Sequence, residues 1–139
     1  MQFLNGQRNL SGMDMRRLDL SEIDFRGASL YRARLGSAVL SHAILTGSGT
    51  NLKYASFDDA VMVNADCSAA AMQFASLKKA DVSNSSFEGT QMDNAILVQV
   101  VAVHATFAKA QMKDVDLTGE MYQTPALVLR CLKTAWARV

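Results

Sequence analysis

Apolar and polar positions follow a beat of five along this chain. In "DFRGA SLYRA RLGSA VLSHA", residues 24–43, a Leu or Phe stands second in every block and an Ala fifth. No helix repeats on that interval, because ~3.6 residues per turn carries the sixth residue well off the starting face. A simple strand does not either, because an odd step flips the side chain across the sheet. The repeat therefore belongs to the architecture of the whole chain. Stepping by five from Leu10, the centres are Leu10, Met15, Leu20, Phe25, Leu30, Leu35, Leu40 and Leu45. The stretch "TGSGTN" (46–51) adds two residues, and the beat resumes at Leu52. It runs on through Phe57, Met62, Cys67, Met72, Leu77, Val82, Phe87, Met92, Leu97, Ala102, Phe107, Met112 and Leu117, without one polar centre.

A second inward position accompanies each centre. Outside the 46–51 insertion, the residue two before each centre between Ala28 and Ala110 is Ala, except at Ser85, Thr90 and Val100. Small at one inward site and large at the next fills a narrow interior without voids. The bulky Val100 precedes the smallest centre, Ala102.

The blocks "ASFDD" (55–59), "ASLKK" (75–79) and "ADVSN" (80–84) resemble the pentapeptide-repeat family, whose pattern is approximately A-(D/N)-L-x-x. The resemblance covers about residues 8–122 and implies an all-β solenoid, a right-handed quadrilateral β-helix of about five to six coils. In such a helix four blocks make one square coil and each block turns one corner, so every centre points inward. The repeat domain is expected over 1–123, with a register break at 46–51 that bulges outward without changing the order of faces.

Residues twenty apart then stack in adjacent rungs, about 4.8 Å apart at the ordinary strand spacing. The first inner column reads Leu10, Leu30, Leu52, Met72, Met92, Met112. The fourth reads Phe25, Leu45, Cys67, Phe87, Phe107, which makes Cys67 a buried small hydrophobe rather than a nucleophile.

Both ends of a solenoid need closing. At the first coil the small inward site carries Met13, Leu18 and Ile23, expected to fill the space left where no rung lies beneath. At the other end "TPALVLRCLKTAWARV" (124–139) abandons the beat. Thr124 and Pro125 form a helix start, and Leu129, Leu132 and Trp136 share one apolar arc with Arg130 and Lys133 opposite. The pattern predicts a C-terminal capping α-helix whose wide arc also pairs two copies into a homodimer through Leu129, Leu132 and Trp136.

Composition narrows the function. Half the residues are apolar but only 7% are aromatic, and the net charge is +1. That balance gives no field for nucleic acid or an anionic membrane. The two cysteines, Cys67 and Cys131, show no disulfide or metal spacing, and no apolar run is long enough for a membrane span. A soluble, cytoplasmic protein is expected.

The outward positions carry the candidate surfaces. On the second face Asp58 stacks over Lys78 and Asp59 over Lys79, which predicts a cross-strand charge ladder. The first face stacks Arg32, Tyr54 and Phe74 with Tyr31 adjacent, a candidate partner surface. Val61, Val63, Val101 and Val103 of the third face, with Ile96 and Val98 of the second, form a candidate apolar patch. His42 and His104 fall about 14 Å apart at the strand spacing, too far to share a metal. Asp14, Asp19, Asp24, Asp66, Asp81 and Asp116 precede centres and read as turn-stabilising residues.

No catalytic constellation, cofactor motif or metal set is legible, so an enzyme is not expected. The reading is a non-enzymatic interaction scaffold for a protein partner, without membrane or direct nucleic-acid binding. Relatives that mimic duplex DNA suggest an alternative, a modulator of a type II topoisomerase, but mimicry requires rows of carboxylates and here lysines alternate with aspartates. A second alternative is the interaction domain of a secreted effector.

Overall fold

The computed structural model describes residues 8–118. Every five-residue block in it closes the same turn. The carbonyl of the centre accepts a hydrogen bond from the N–H three residues on, as Leu30 does from Ala33 at 2.9 Å. The residue before that donor lies in the left-handed region: Arg32 at φ 56°, Ala69 at 58°, Gln99 at 56°. One positive φ, at the third residue of the turn, is type II geometry. No Val, Ile or Thr occupies this position in any turn, consistent with the strain a β-branched side chain meets there.

Between turns, the residue before each centre bridges in parallel to its counterpart one coil away. The first column runs Asn9, Ser29, Asn51, Ala71, Gln91, Gln111; the second runs Asp14, Arg34, Ser56, Ser76, Ile96, Asp116. Two further columns start at Asp19 and Asp24, giving four faces. The step is twenty residues except across 46–51, where Ser29 pairs with Asn51 and Ile44 with Asp66. The insertion thus sits at one corner and leaves the register of all four faces intact. Gly47 takes φ 105° there, and the buried Thr50 hydroxyl accepts from the Gly27 N–H and donates to the Thr46 carbonyl.

The backbone donors of a block can be followed one by one. In the second coil, Leu30 N–H reaches the Asn51 carbonyl at 2.7 Å and Arg32 N–H the Lys53 carbonyl at 3.0 Å, both on the next coil. Ser29 N–H reaches back to Arg8 at 2.7 Å, and Ala33 N–H closes the turn. The N–H just after the centre is the one donor left without a backbone acceptor. Side chains take it: Asp19 accepts from Ser21 N–H, Asp66 from Ser68, Asp81 from Ser83 and Asp116 from Thr118. These are Asx turns, and they explain Asp or Asn where one stands before a centre, as at Asp19, Asp66, Asp81 and Asp116.

The centres and the small sites before them fill the interior. Leu30, Leu52, Met72 and Met92 of the first column are fully buried, as are Phe25, Leu45, Cys67 and Phe87 of the fourth. Phe87 and Phe107 stack at 4.9 Å. Where the small site is polar it is satisfied: the Ser85 hydroxyl donates to Met62 O and the Thr90 hydroxyl to Cys67 O. Burial pushes the Cys67 thiol well above its ordinary pKa, with the Asp66 charge adding to it.

The first coil departs from expectation. Ile23 is buried, but Met13 and Leu18 are each 47% exposed. Among the described residues no rung lies beneath these long side chains, so they rim the first described coil rather than fill it. The sequence-predicted helix 124–139 lies outside the described residues, and no helix of the described region is long and apolar enough to cross a membrane.

Candidate functional site: an aromatic corner

The corner between the first and second faces carries large side chains at its left-handed position. Arg32, Tyr54 and Phe74 occupy it in successive coils at φ 56°, 59° and 61°. They are one rung apart because the two extra residues of 46–51 are absorbed before Leu52. The Tyr54 and Phe74 rings lie parallel, 3° apart in tilt with centroids 4.9 Å apart. Tyr31 meets Tyr54 edge to face at 5.6 Å. The Arg32 guanidinium sits over both tyrosines, 5.2 Å from the Tyr31 centroid and 5.6 Å from that of Tyr54. The four residues that the sequence placed on one surface form one connected cluster, Phe74 joining it through Tyr54, and Tyr54 and Phe74 remain 45% and 46% exposed.

The valines are arranged differently. Val61 and Val63 share one coil and Val101 and Val103 lie two coils further on, with Asp81 and Ser83 between them. Asp81 accepts from Ser83 N–H and so places a polar rung across the patch. Ile96 and Val98 adjoin only the Val101 and Val103 end. The sequence reading missed Val39, 36% exposed and bridged directly to Val61; the twenty-two-residue step across the insertion was the available signal.

Charges on the second face also differ from the expected ladder. No ion pair joins Asp58 to Lys78 or Asp59 to Lys79 among the described residues. The Asp58 carboxylate instead accepts from the Lys78 backbone N–H at 3.1 Å and from the Ser76 hydroxyl. An exposed ammonium gains little from pairing, whereas the N–H after a centre has no other acceptor. Of the four ion pairs among the described residues, one joins Lys109 to Glu88 at 3.0 Å and the other three lie at the other end of this face and around it. Asp14 holds Arg16 at 2.6 Å and Arg34 at 3.4 Å, and Asp24 holds Arg26 at 2.6 Å. Hydrogen bonds from Arg16 and Arg26 hold Asp14 and Asp24 at about 2. Asp14, Arg16, Arg17, Arg34, Gly36, Ser37, Ser56, Asp58 and Asp59 line a shallow groove that sequence reasoning did not find. Its signal was Gly36, which interrupts the row of side chains between Arg16 and Asp58.

His42 and His104 stand three coils apart on the third face, and no three His, Cys, Asp or Glu side chains of the described residues gather as a metal site. Leu129, Leu132 and Trp136 lie outside the described residues.

Four parallel bridge columns around a file of Leu, Met and Phe define a four-sided parallel β-solenoid. The chain belongs to the pentapeptide-repeat family: the model of pentapeptide repeats matches eight copies over residues 9–47 and 83–119. The stretch between those matches keeps the same bridges, so the repeat is continuous through it. No curated protein matches the sequence.

Solved structures share the fold. HetL, a pentapeptide repeat protein involved in heterocyst differentiation regulation from the cyanobacterium Nostoc sp. strain PCC 7120, matches with TM-score 0.72 and 25% identity. That match covers 76% of this chain and 44% of HetL, so the chain spans less than half of that protein. Rfr23 from the cyanobacterium Cyanothece 51142 gives TM-score 0.64 at 16% identity, over 86% of this chain and 93% of Rfr23. QnrB1, a plasmid-mediated fluoroquinolone resistance protein, gives 0.55 at 19%, over 77% of this chain and 52% of QnrB1.

Proposed function

We propose that this protein is a non-enzymatic interaction module, a rigid solenoid that presents the corner of Tyr31, Arg32, Tyr54 and Phe74 to a protein partner. The carrying observation is an ordered aromatic stack, Tyr54 on Phe74, whose two rings remain nearly half exposed. Aromatic and Arg side chains contribute most of the affinity in protein interfaces. Here they are held on a backbone that four hydrogen-bonded faces keep in place, so little ordering cost falls on binding. The similarity to HetL, itself a protein involved in a regulatory process, agrees with a role exercised through contacts. A homodimer through Leu129, Leu132 and Trp136 belongs to the same proposal. The topoisomerase alternative has only the fold of QnrB1 in its favour, while cations interleave with the carboxylates on the second face.

The test compares the intact protein with Tyr54→Ser/Phe74→Ser as bait in cytosol from the source cells. A partner retained by the first and lost by the second, with both baits giving the same β-rich circular dichroism, supports the reading. Equal retention by both baits contradicts it. Gyrase supercoiling run beside it is expected to be unaffected at low micromolar protein, and clear inhibition would favour the topoisomerase reading.

A further inference from the structure

We propose that the segment seated on this corner is acidic and carries an aromatic or large apolar side chain; the proposal rests on the reading of the corner as a contact surface. The chemistry follows from what the stack leaves available. Tyr54 and Phe74 cover one face of each other, and Tyr31 and Arg32 crowd the far side of Tyr54. Tyr54 therefore offers chiefly its edge, which carries the positive part of the aromatic quadrupole and favours carboxylates and carbonyls, while Phe74 keeps an edge and its far face for an apolar or aromatic side chain. A planar base or a sugar needs an open ring face, and Tyr54 has none to give.

Arg32 strengthens the same preference. Arg16, Arg26 and Arg34 are engaged by carboxylates and Arg8 donates to the Arg26 carbonyl. No carboxylate of the described residues pairs with Arg32; it lies on two rings with the N–H donors in its plane unspent. Such a guanidinium is pre-organised to take a carboxylate through two parallel hydrogen bonds. Lys53, beside Tyr54 in the chain, adds a second cation without an ion pair among the described residues. Beyond Phe74 the net charge turns weakly negative: Asn94 and Asp114 continue the same column, Asp93 accepts from the Lys113 N–H at 2.9 Å, and the Lys113 ammonium offsets one of the two carboxylates.

The corner is thus polarised along the solenoid, cationic at Arg32 and Lys53, aromatic through Tyr54 and Phe74, and weakly acidic beyond. A partner segment that fits it places its carboxylates at the Arg32 end and its ring against Phe74. Two rungs separate those points, about 10 Å, which an extended peptide covers in about three residues.

Fluorescence anisotropy with labelled peptides tests this. The first peptide has twelve residues, a run of Glu followed by Phe and Trp three residues on, in a Gly/Ser background. The second replaces each Glu with Lys, the third replaces Phe and Trp with Ser, and a dodecamer of thymidine serves as the nucleic-acid arm. At about 50 mM salt the first is expected to bind at least about tenfold tighter than the other three. In Arg32→Glu, or Lys53→Glu should the former not fold, the preference between Glu and Lys peptides is expected to shrink or reverse. Tyr54→Ser/Phe74→Ser is expected to abolish the advantage of the first peptide over the third. Equal binding of Glu and Lys peptides, tighter binding of the Lys peptide or the oligonucleotide, a preference unmoved by both charge variants, or no binding at all overturns the proposal. If the partner capture described above still depends on Tyr54 and Phe74 in that event, the contact surface stands and only its acidic occupant is wrong.

Discussion

Asp58 and Lys78 meet through the backbone: the Asp58 carboxylate accepts a hydrogen bond at 3.1 Å from the Lys78 N–H, one coil on, while the Lys78 ammonium takes no part. The contact closes the one donor of a five-residue block that the solenoid leaves open. Asp93 does the same for the Lys113 N–H at 2.9 Å.

The Lys78 side chain should therefore be dispensable and the Asp58 carboxylate should not. Lys78→Gln is expected to leave stability within about 0.5 kcal/mol of the parent. Asp58→Ala is expected to lose about 1 kcal/mol or more, since the Ser76 hydroxyl loses its partner too. Urea denaturation of both variants reads the difference. Equal losses would restore the charge ladder.

Ala69 occupies the left-handed turn position at φ 58° with an exposed side chain. A Cβ there costs about 1–2 kcal/mol, part of which Gly returns through its freer unfolded chain. Ala69→Gly is expected to raise stability by up to about 1 kcal/mol. Ala69→Val is expected to lower it by about 1 kcal/mol or more, because a β-branched residue is strained in this region. Thermal melts of the three proteins should rank them Gly, Ala, Val; any other order means that the turn is not type II.

Asp14 and Asp24 sit at about 2 against an ordinary 3.8, chiefly through hydrogen bonds from Arg16 and Arg26. The unfolded chain takes up their protons first as pH falls, so the stability they contribute is complete above about pH 4 and lost on the way to pH 2. Arg16→Gln/Arg26→Gln is expected to lower stability modestly at neutral pH, the pairs being exposed, and to flatten the decline so that parent and variant converge near pH 2. Denaturation midpoints at pH 6, 4, 3 and 2 measure it, and parallel curves for parent and variant would contradict the assignment.

Leu77 is fully buried in the second inner column. A lysine there leaves a charge without a partner inside the solenoid, a cost of several kcal/mol. Leu77→Lys is expected not to fold, and a soluble variant with the parent's cooperative melt would mean that the inner columns are misassigned.

Much of this was legible from the beat of five. Leu30, Leu52, Met72 and Met92 fall in one buried column because the period alone decides which side chain turns inward. The same register placed Tyr31, Arg32, Tyr54 and Phe74 together, since residues a fixed step apart must share a corner. What the period could not tell is whether neighbours in a column bond through side chains or backbone. Asp58 and Lys78 look like an ion pair in sequence, and only the unfilled N–H after the centre shows why the carboxylate turns to the main chain. Nor does periodicity fix burial in the first described coil: Met13 and Leu18 occupy inward positions by the beat, yet no described rung lies beneath to cover them. The Val61 and Val101 pairs were grouped by face, and the polar rung of Asp81 and Ser83 between them follows from the plain twenty-residue step once successive coils are compared.

The central claim is that the corner of Tyr54 and Phe74 is where this solenoid meets its partner. Photo-cross-linking in the source cells addresses it most directly. A benzophenone amino acid is placed at Phe74 in one protein and, as a control, at His42, another exposed left-handed turn position, on the third face. The account predicts a discrete protein adduct from position 74, none from position 42, and loss of the adduct when Tyr54→Ser is added. Adducts of equal yield from both positions, or none from position 74 alone, would contradict it.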